Sequence, residues 1–246
     1  MKTSPFQKFT AFLSAVILFF CMTVYLQAQT AVQPALSPAR FAEEVVVIDA
    51  GHGGEDGGAV SISGAVESNI NLAIALRLDA IFGLYGVPAV LLRDSDISLH
   101  DEQANTLREK KVSDLKNRVA AIEALDDPTV ISIHQNTYPS SKYHGAQVFY
   151  ANGELSLPLA RQTQAVLKQV LDPENERMPT AVPSSVYLMN HISCKAILVE
   201  CGFLSNPEED QLLQSSDYQK KLAAALAGAY LSYQETVPKG ESLNAS

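Results

Sequence analysis

From about residue 45 onward, apolar positions fall into short continuous runs that alternate with stripes at helical spacing. Val45-Val46-Val47-Ile48 is an unbroken apolar run, the pattern of a strand covered on both faces. Ile70, Ile74, Leu78 and Ile81, supported by Ala73 and Leu84, predict a helix over 68–85, and Gly86 followed by Pro88 predicts its end. Strands are predicted at 89–92, 129–134, 145–150, around 186–189 and at 196–200, with helices at 113–125, 156–171, 207–213 and 217–233. Residues 94–112 are polar without an apolar period, and so long a connection predicts a loop bordering substrate. Strands that alternate with helices predict a single-domain α/β sandwich, its sheet mainly parallel and flanked by helices.

The first 40 residues follow another rule. Lys2 and Lys8 precede a stretch without charge from Thr10 to Ala39, and Ala11 to Leu26 is almost wholly apolar. Residues 1–30 therefore read as a signal peptide, with Leu26-Gln27-Ala28 and Ala28-Gln29-Thr30 as weak cleavage motifs, or as an uncleaved membrane anchor. A spanning helix needs about 20 residues, which leaves both readings open. Either exports the remainder across the cytoplasmic membrane. Residues 31–42, with Pro34 and Pro38, read as a linker, 43–236 as the folded domain and 237–246 as a disordered tail.

Composition narrows the chemistry. Of 246 residues, 47% are hydrophobic and 18% charged, which excludes a disordered chain. The formal charge is −9, and without Lys2 and Lys8 the remainder carries 16 basic against 27 acidic side chains, a net −11. Nucleic acid is therefore not the expected partner. Three cysteines, Cys21, Cys194 and Cys201, are too few for a four-thiolate zinc site, so any metal must be held by histidines and carboxylates.

Open α/β sheets place ligands beyond the carboxyl ends of their strands. His52 closely follows the first strand, His134 ends the strand at 129–134, Glu200 ends the strand at 196–200, and Glu67 stands where a helix should start. Two imidazoles and a carboxylate can hold catalytic zinc with a position left for water, and a second carboxylate can take that water's proton. Gly51, Gly53, Gly54, Gly57 and Gly58 let the loop around His52 bend sharply. A phosphate-cradling loop is the rival reading, but no Gly-Lys-Ser/Thr ending follows. Taken singly, a histidine at a strand end is more often a hydrogen-bonded structural residue than a ligand, and a glutamate at a helix start is more often a partner of the helix dipole.

Four blocks taken together resemble the zinc-dependent N-acetylmuramoyl-L-alanine amidases of the amidase-3 type. They are Val47-Ile48-Asp49-Ala50-Gly51-His52-Gly53-Gly54; Glu67 before Asn71-Leu72-Ala73; Ser132-Ile133-His134-Gln135-Asn136; and Leu198-Val199-Glu200-Cys201-Gly202-Phe203-Leu204-Ser205-Asn206. The resemblance implies a mixed sheet, a peptidoglycan substrate and cleavage of the amide between the lactyl group of muramic acid and L-alanine. It also implies one Zn2+ per chain on His52, Glu67 and His134, with Glu200 as the catalytic carboxylate. A narrower resemblance, on Ser132–Asn136 with Pro139, Gly145–Tyr150 and Tyr187-Leu188-Met189, is to the germination-specific CwlD-type branch, which prepares spore cortex for a partner deacetylase. A general autolysin of the cell wall, or a wall-binding regulator without activity, are the alternatives. The site of action is then the cell wall or the forespore intermembrane space, with or without a protein activator.

Supporting residues carry two readings each. Asn136 orients the site or is an ordinary turn residue. Asp49 accepts an N–H from a ligand imidazole or only caps its turn. Arg93 and Arg118 are candidates to meet the carboxylates of the peptide stem, whereas Arg77 lies within a helix and faces solvent. Alternation turns Cys201 to the face opposite Glu200, as a buried thiol, and the apolar strand between Cys194 and Cys201 argues against a disulfide.

Overall fold

The computed structural model describes residues 44–236. The leader, linker and tail expected at 1–30, 31–42 and 237–246 lie outside the described residues. Six strands, β1 (Val46–Ala50), β2 (Ala89–Leu91), β3 (Thr129–Asn136), β4 (Gln147–Tyr150), β5 (Thr180–Ala181) and β6 (Lys195–Phe203), form one sheet in the order β2-β1-β3-β6-β4-β5. Every pairing is parallel except β4 with β6, so the sheet is mixed and mainly parallel. The helices are α1 (Glu67–Tyr85), α2 (Leu107–Glu123), α3 (Leu157–Leu171), α4 (Tyr187–Asn190), α5 (Pro207–Gln214) and α6 (Ser216–Thr236).

Strand alternation divides the core between the two faces of the sheet. Val46, Ile48, Ile131, Ile133, Ile197 and Val199 pack with residues of α1, α3 and α6, such as Leu78, Leu159 and Leu226. Val47, Val130, Ala196 and Leu198 face the other way, towards Ile122 of α2 and Leu188 and Met189 of α4. β1 is buried along its whole length, as expected of a strand roofed on both sides. Among the described residues no helix is long and apolar enough to cross a membrane.

Three expectations are corrected. α2 begins at Leu107 instead of Ser113, where Thr106 and Glu109 make a reciprocal capping box. Residues 107–112 are almost wholly exposed and present no apolar stripe, which begins only with Leu115, Val119 and Ile122. The stretch around 186–189 is the short helix α4, closed where Asn190 Nδ2 donates to the carbonyls of Val186 and Pro183. Four apolar residues fit either a strand or one helical turn, and here the turn wins. β4 pairs with β6 on one side and on the other with β5, two exposed residues too short to show a strand pattern in the sequence. β3 and β6 also run further than their apolar cores, carrying His134, Gln135, Asn136 and Glu200 within paired backbone.

Candidate active site

Parallel pairing brings the carboxyl ends of β1, β3 and β6 to one edge, with His134 directly opposite Glu200. The register shifts just beyond, between His134 and Asn136, as a bulge that re-aims the strand end. His52 lies two residues past β1 at φ 62, in the left-handed region, and Glu67 opens α1. His52 Nε2 is 3.4 Å from Glu67 Oε1, and His134 Nδ1 is 3.1 Å from the same oxygen. The two rings meet edge to face at a centroid distance of 5.0 Å.

Glycine is required at two positions of this loop. A β-carbon on Gly51 would sit 2.3 Å from the His134 ring, and one on Gly58, at φ +72, would sit 2.5 Å from Glu67 Oε2 and 2.7 Å from the His52 ring. The space they leave is what lets three polar side chains converge. One donor atom from each of His52, Glu67 and His134 lies within 4.8 Å of the others, a spacing that fits one metal ion.

Each of the three is held from behind. Glu67 is 3% exposed; its Oε1 accepts the Gln135 N–H and an Asn71 Nδ2–H, and its Oε2 accepts the Ala59 N–H. Burial alone would raise this carboxyl, but hydrogen bonding and charge from His134, with His52, hold it down at about 2. Burial would likewise lower His134, yet its bond to Glu67 and the charge of Glu200 raise it. His52 Nδ1 is 3.0 Å from Asp56 Oδ2, and the Asp56 carboxyl is lowered, first by that bond.

Glu200 is the exception. Its Oε2 is buried without a hydrogen-bond partner among the described residues. Burial, helped by the charge of Glu67 and opposed by His134 and His52, pushes its carboxyl up to about 7.

The other expected residues sit beneath or beside this cluster. Asp49 touches no imidazole nitrogen; it accepts from Ser132 Oγ and pairs with Arg118, which outweighs burial and lowers its carboxyl. Arg118, 1% exposed, also donates to the carbonyls of Ala50 and His52 and to Asp114. Arg93, 2% exposed, donates to the carbonyls of Ala50, Gly51, Ser68 and Ser95. Both guanidiniums thus carry the backbone around His52, and their donors are directed at protein carbonyls and carboxylates. The connection before α2 does similar work, with Asp96 Oδ1 accepting the Gly54 N–H at 2.9 Å. Asn136 stands at the bulge, its carbonyl bound to Leu204 N–H. Arg77 is partly covered and bonds to Ala73 O and Ser216 Oγ. Cys194 and Cys201 are buried free thiols, and Cys201 packs in the core away from Glu200.

A cavity of about 200 Å³ opens beside the imidazoles, lined by His52, His134, Lys111, Tyr187, Met189 and Leu198 among others. Sequence reasoning missed the wall from α4, because it expected a strand there, and missed Asp56 and Lys111. The signal for Asp56 was only its place four residues after His52; nothing local marked Lys111.

Comparison with known proteins agrees with this geometry. Residues 46–231 match the profile of the Amidase_3 family, described as N-acetylmuramoyl-L-alanine amidase. The germination-specific N-acetylmuramoyl-L-alanine amidase of Bacillus subtilis is 32% identical over 225 residues, covering 90% of this chain and 92% of that one. The CwlD amidase of Clostridioides difficile, solved in complex with the GerS lipoprotein, superposes with a TM-score of 0.76 at 36% identity over 79% of this chain and 100% of that one. AmiC2 of Nostoc punctiforme superposes with a TM-score of 0.67 at 30% identity, over 79% and 99%. The chain therefore belongs to the amidase-3 family of N-acetylmuramoyl-L-alanine amidases, hydrolases of peptidoglycan.

Proposed function

We propose that His52 Nε2, Glu67 Oε1 and His134 Nδ1 hold one zinc ion and that Glu200 is the catalytic acid–base for cleaving the amide between the lactyl group of muramic acid and L-alanine. The observation that carries this reading is the contrast in one small volume: three converging donors beside a buried carboxylate oxygen with no partner. A zinc ion bound there supplies Lewis-acid chemistry, acidifying water and polarising the scissile carbonyl. Glu200 Oε2 accepts the proton of the attacking water and passes it to the departing L-alanine nitrogen, which leaves poorly as an anion. Glu67, already ionised through its bonds, stays a ligand, and the division of labour between the two carboxylates follows from their surroundings. Asn71 and Gln135 keep Glu67 in place, while Arg93, Arg118 and Asp49 stiffen the loop that carries His52. Asn136, two residues beyond His134 at the bulge, is proposed to orient the site or to hydrogen-bond substrate.

The test is metal analysis of the purified chain with digestion of muropeptides. About one zinc per chain and mass-spectrometric detection of lactyl carboxylates free of all peptide support the reading. Cleavage between amino acids of the stem would replace it with a peptidase.

The biological role is the spore cortex, outside the cytoplasmic membrane, in keeping with the name of the Bacillus subtilis relative and the apolar leader. A lipoprotein partner, as in the Clostridioides difficile complex, a protein activator and a partner deacetylase fit that role. Expression throughout vegetative growth, instead of during sporulation alone, would favour a general autolysin.

A further inference from the structure

Beyond the three donors, a chain of polar contacts runs outward from His52. Asp56 Oδ2 lies 3.0 Å from His52 Nδ1 and 3.0 Å from Lys111 Nζ, a residue of α2. With Nδ1 engaged on Asp56, Nε2 is the ring nitrogen that faces Glu67. Asp56 is itself fixed: its Oδ1 accepts the Gly58 N–H at 3.3 Å, and its backbone pairs with Gly53 in both directions. A carboxylate on the far nitrogen of a metal-binding imidazole fixes its tautomer and direction and makes it a better ligand.

We propose that Asp56, braced by Lys111, is a positioning residue that presents His52 as an Nε2 ligand, so that metal affinity at the site depends on a lysine of α2. This rests on the zinc reading above. The neighbouring residues provide a control. Lys110 pairs with Glu55 at 2.6 and 2.7 Å, tying the same loop to the same helix, but neither residue bonds to an imidazole. If the lysines only clamped loop to helix, both would count alike; if they serve His52, only Lys111 counts.

The experiment measures zinc dissociation constants by competition with a chromophoric chelator for the full-length chain and its Asp56→Ala, Asp56→Asn, Lys111→Met and Lys110→Met variants. Metal-free unfolding midpoints and cobalt(II) absorption spectra are recorded alongside. Asp56→Ala is expected to weaken zinc roughly 10–100-fold and to alter the cobalt spectrum. Asp56→Asn, which keeps an acceptor for the Nδ1–H without the charge, is expected to lose less, Lys111→Met less again, and Lys110→Met nothing. Should Asp56→Ala fail to fold without metal, Asp56→Asn and Lys111→Met decide the matter. Zinc affinity within about twofold of the parent in all Asp56 variants that fold would overturn the proposal, as would equal losses in Lys110→Met and Lys111→Met. A parent chain that binds no zinc would remove the zinc reading itself, a result distinct from either.

Discussion

His134 and Glu200 are paired across neighbouring strands, yet their surroundings differ sharply. On the His134 side the candidate ligands are held from behind: Glu67 accepts from Gln135, Asn71 and Ala59, His52 is held by Asp56, and Arg118 and Arg93 support the loop backbone, while Gln135 Oε1 is a buried oxygen left unpaired among the described residues. On the other side Glu200 keeps a buried oxygen with no partner, and its carboxyl is held up at about 7. In the proposed mechanism the ligands must stay in place, which the surrounding bonds of His52, Glu67 and His134 provide. The proposed acid–base must exist in both protonation states, which an unpartnered buried carboxyl allows.

The largest expected effect removes the exchange itself. Glu200→Gln should lower kcat/KM roughly 10²–10⁴-fold, measured as release of stem peptides, while zinc affinity stays near that of the parent. Turnover at the parental rate would break the contrast at once. In the parent chain Glu200 must lose its proton before it can accept one, so kcat/KM falls on acidification. Burial places that limb near 7 and a bound cation draws it back towards the ordinary value of 4.5, so it should fall between the two in a rate-against-pH profile.

Arg118→Met tests the satisfied side. It strands the buried Asp49 carboxylate, and denaturant unfolding at neutral pH should report a loss of about 3–5 kcal/mol. The deficit should shrink in acid. Arg118 holds Asp49 below its ordinary 3.8, so the pair's contribution exists above that pH and is lost below it, whereas the unpaired Asp49 of the variant relieves its own penalty by taking up a proton.

The unsatisfied side makes the opposite prediction for stability. A carboxyl raised from 4.5 to about 7 contributes stability below pH 4.5 that is lost as pH rises through 7. In the metal-free protein Glu200→Gln should therefore gain about 2–3 kcal/mol at pH 8 relative to its standing at pH 4.5. A flat difference between the two pH values in thermal melts would show that Glu200 is solvated as well as its neighbours are. The smallest effect lies at the capping box: Thr106→Ala should cost about 1 kcal/mol by the same melts, with zinc binding unchanged.

Legibility followed the type of force that builds each part. β1, β3, β6 and α1 were readable because their burial is apolar and periodic, and His52, Glu67, His134 and Glu200 were readable because strand ends and family blocks mark them. α2 was misplaced at its start because residues 107–112 are almost wholly exposed, and hydrophobic periodicity registers only a face that is buried. Arg93 and Arg118 are candidates in the sequence to meet the carboxylates of the peptide stem; the structure buries both, and their bonds go largely to the backbone of the His52 loop.

By itself the sequence determined the strand and helix alternation, the parallel character of the sheet and the four chemically marked side chains, since these depend on local pattern and on residue type. Tertiary structure alone decided that His134 and Glu200 face each other, that Glu200 lacks a partner, and that Lys111, 59 residues from His52 in the chain, reaches its Asp56. Whether a carboxyl is ionised, shared or left waiting is set by which groups surround it in space, and those groups come from strands and helices far apart in the chain.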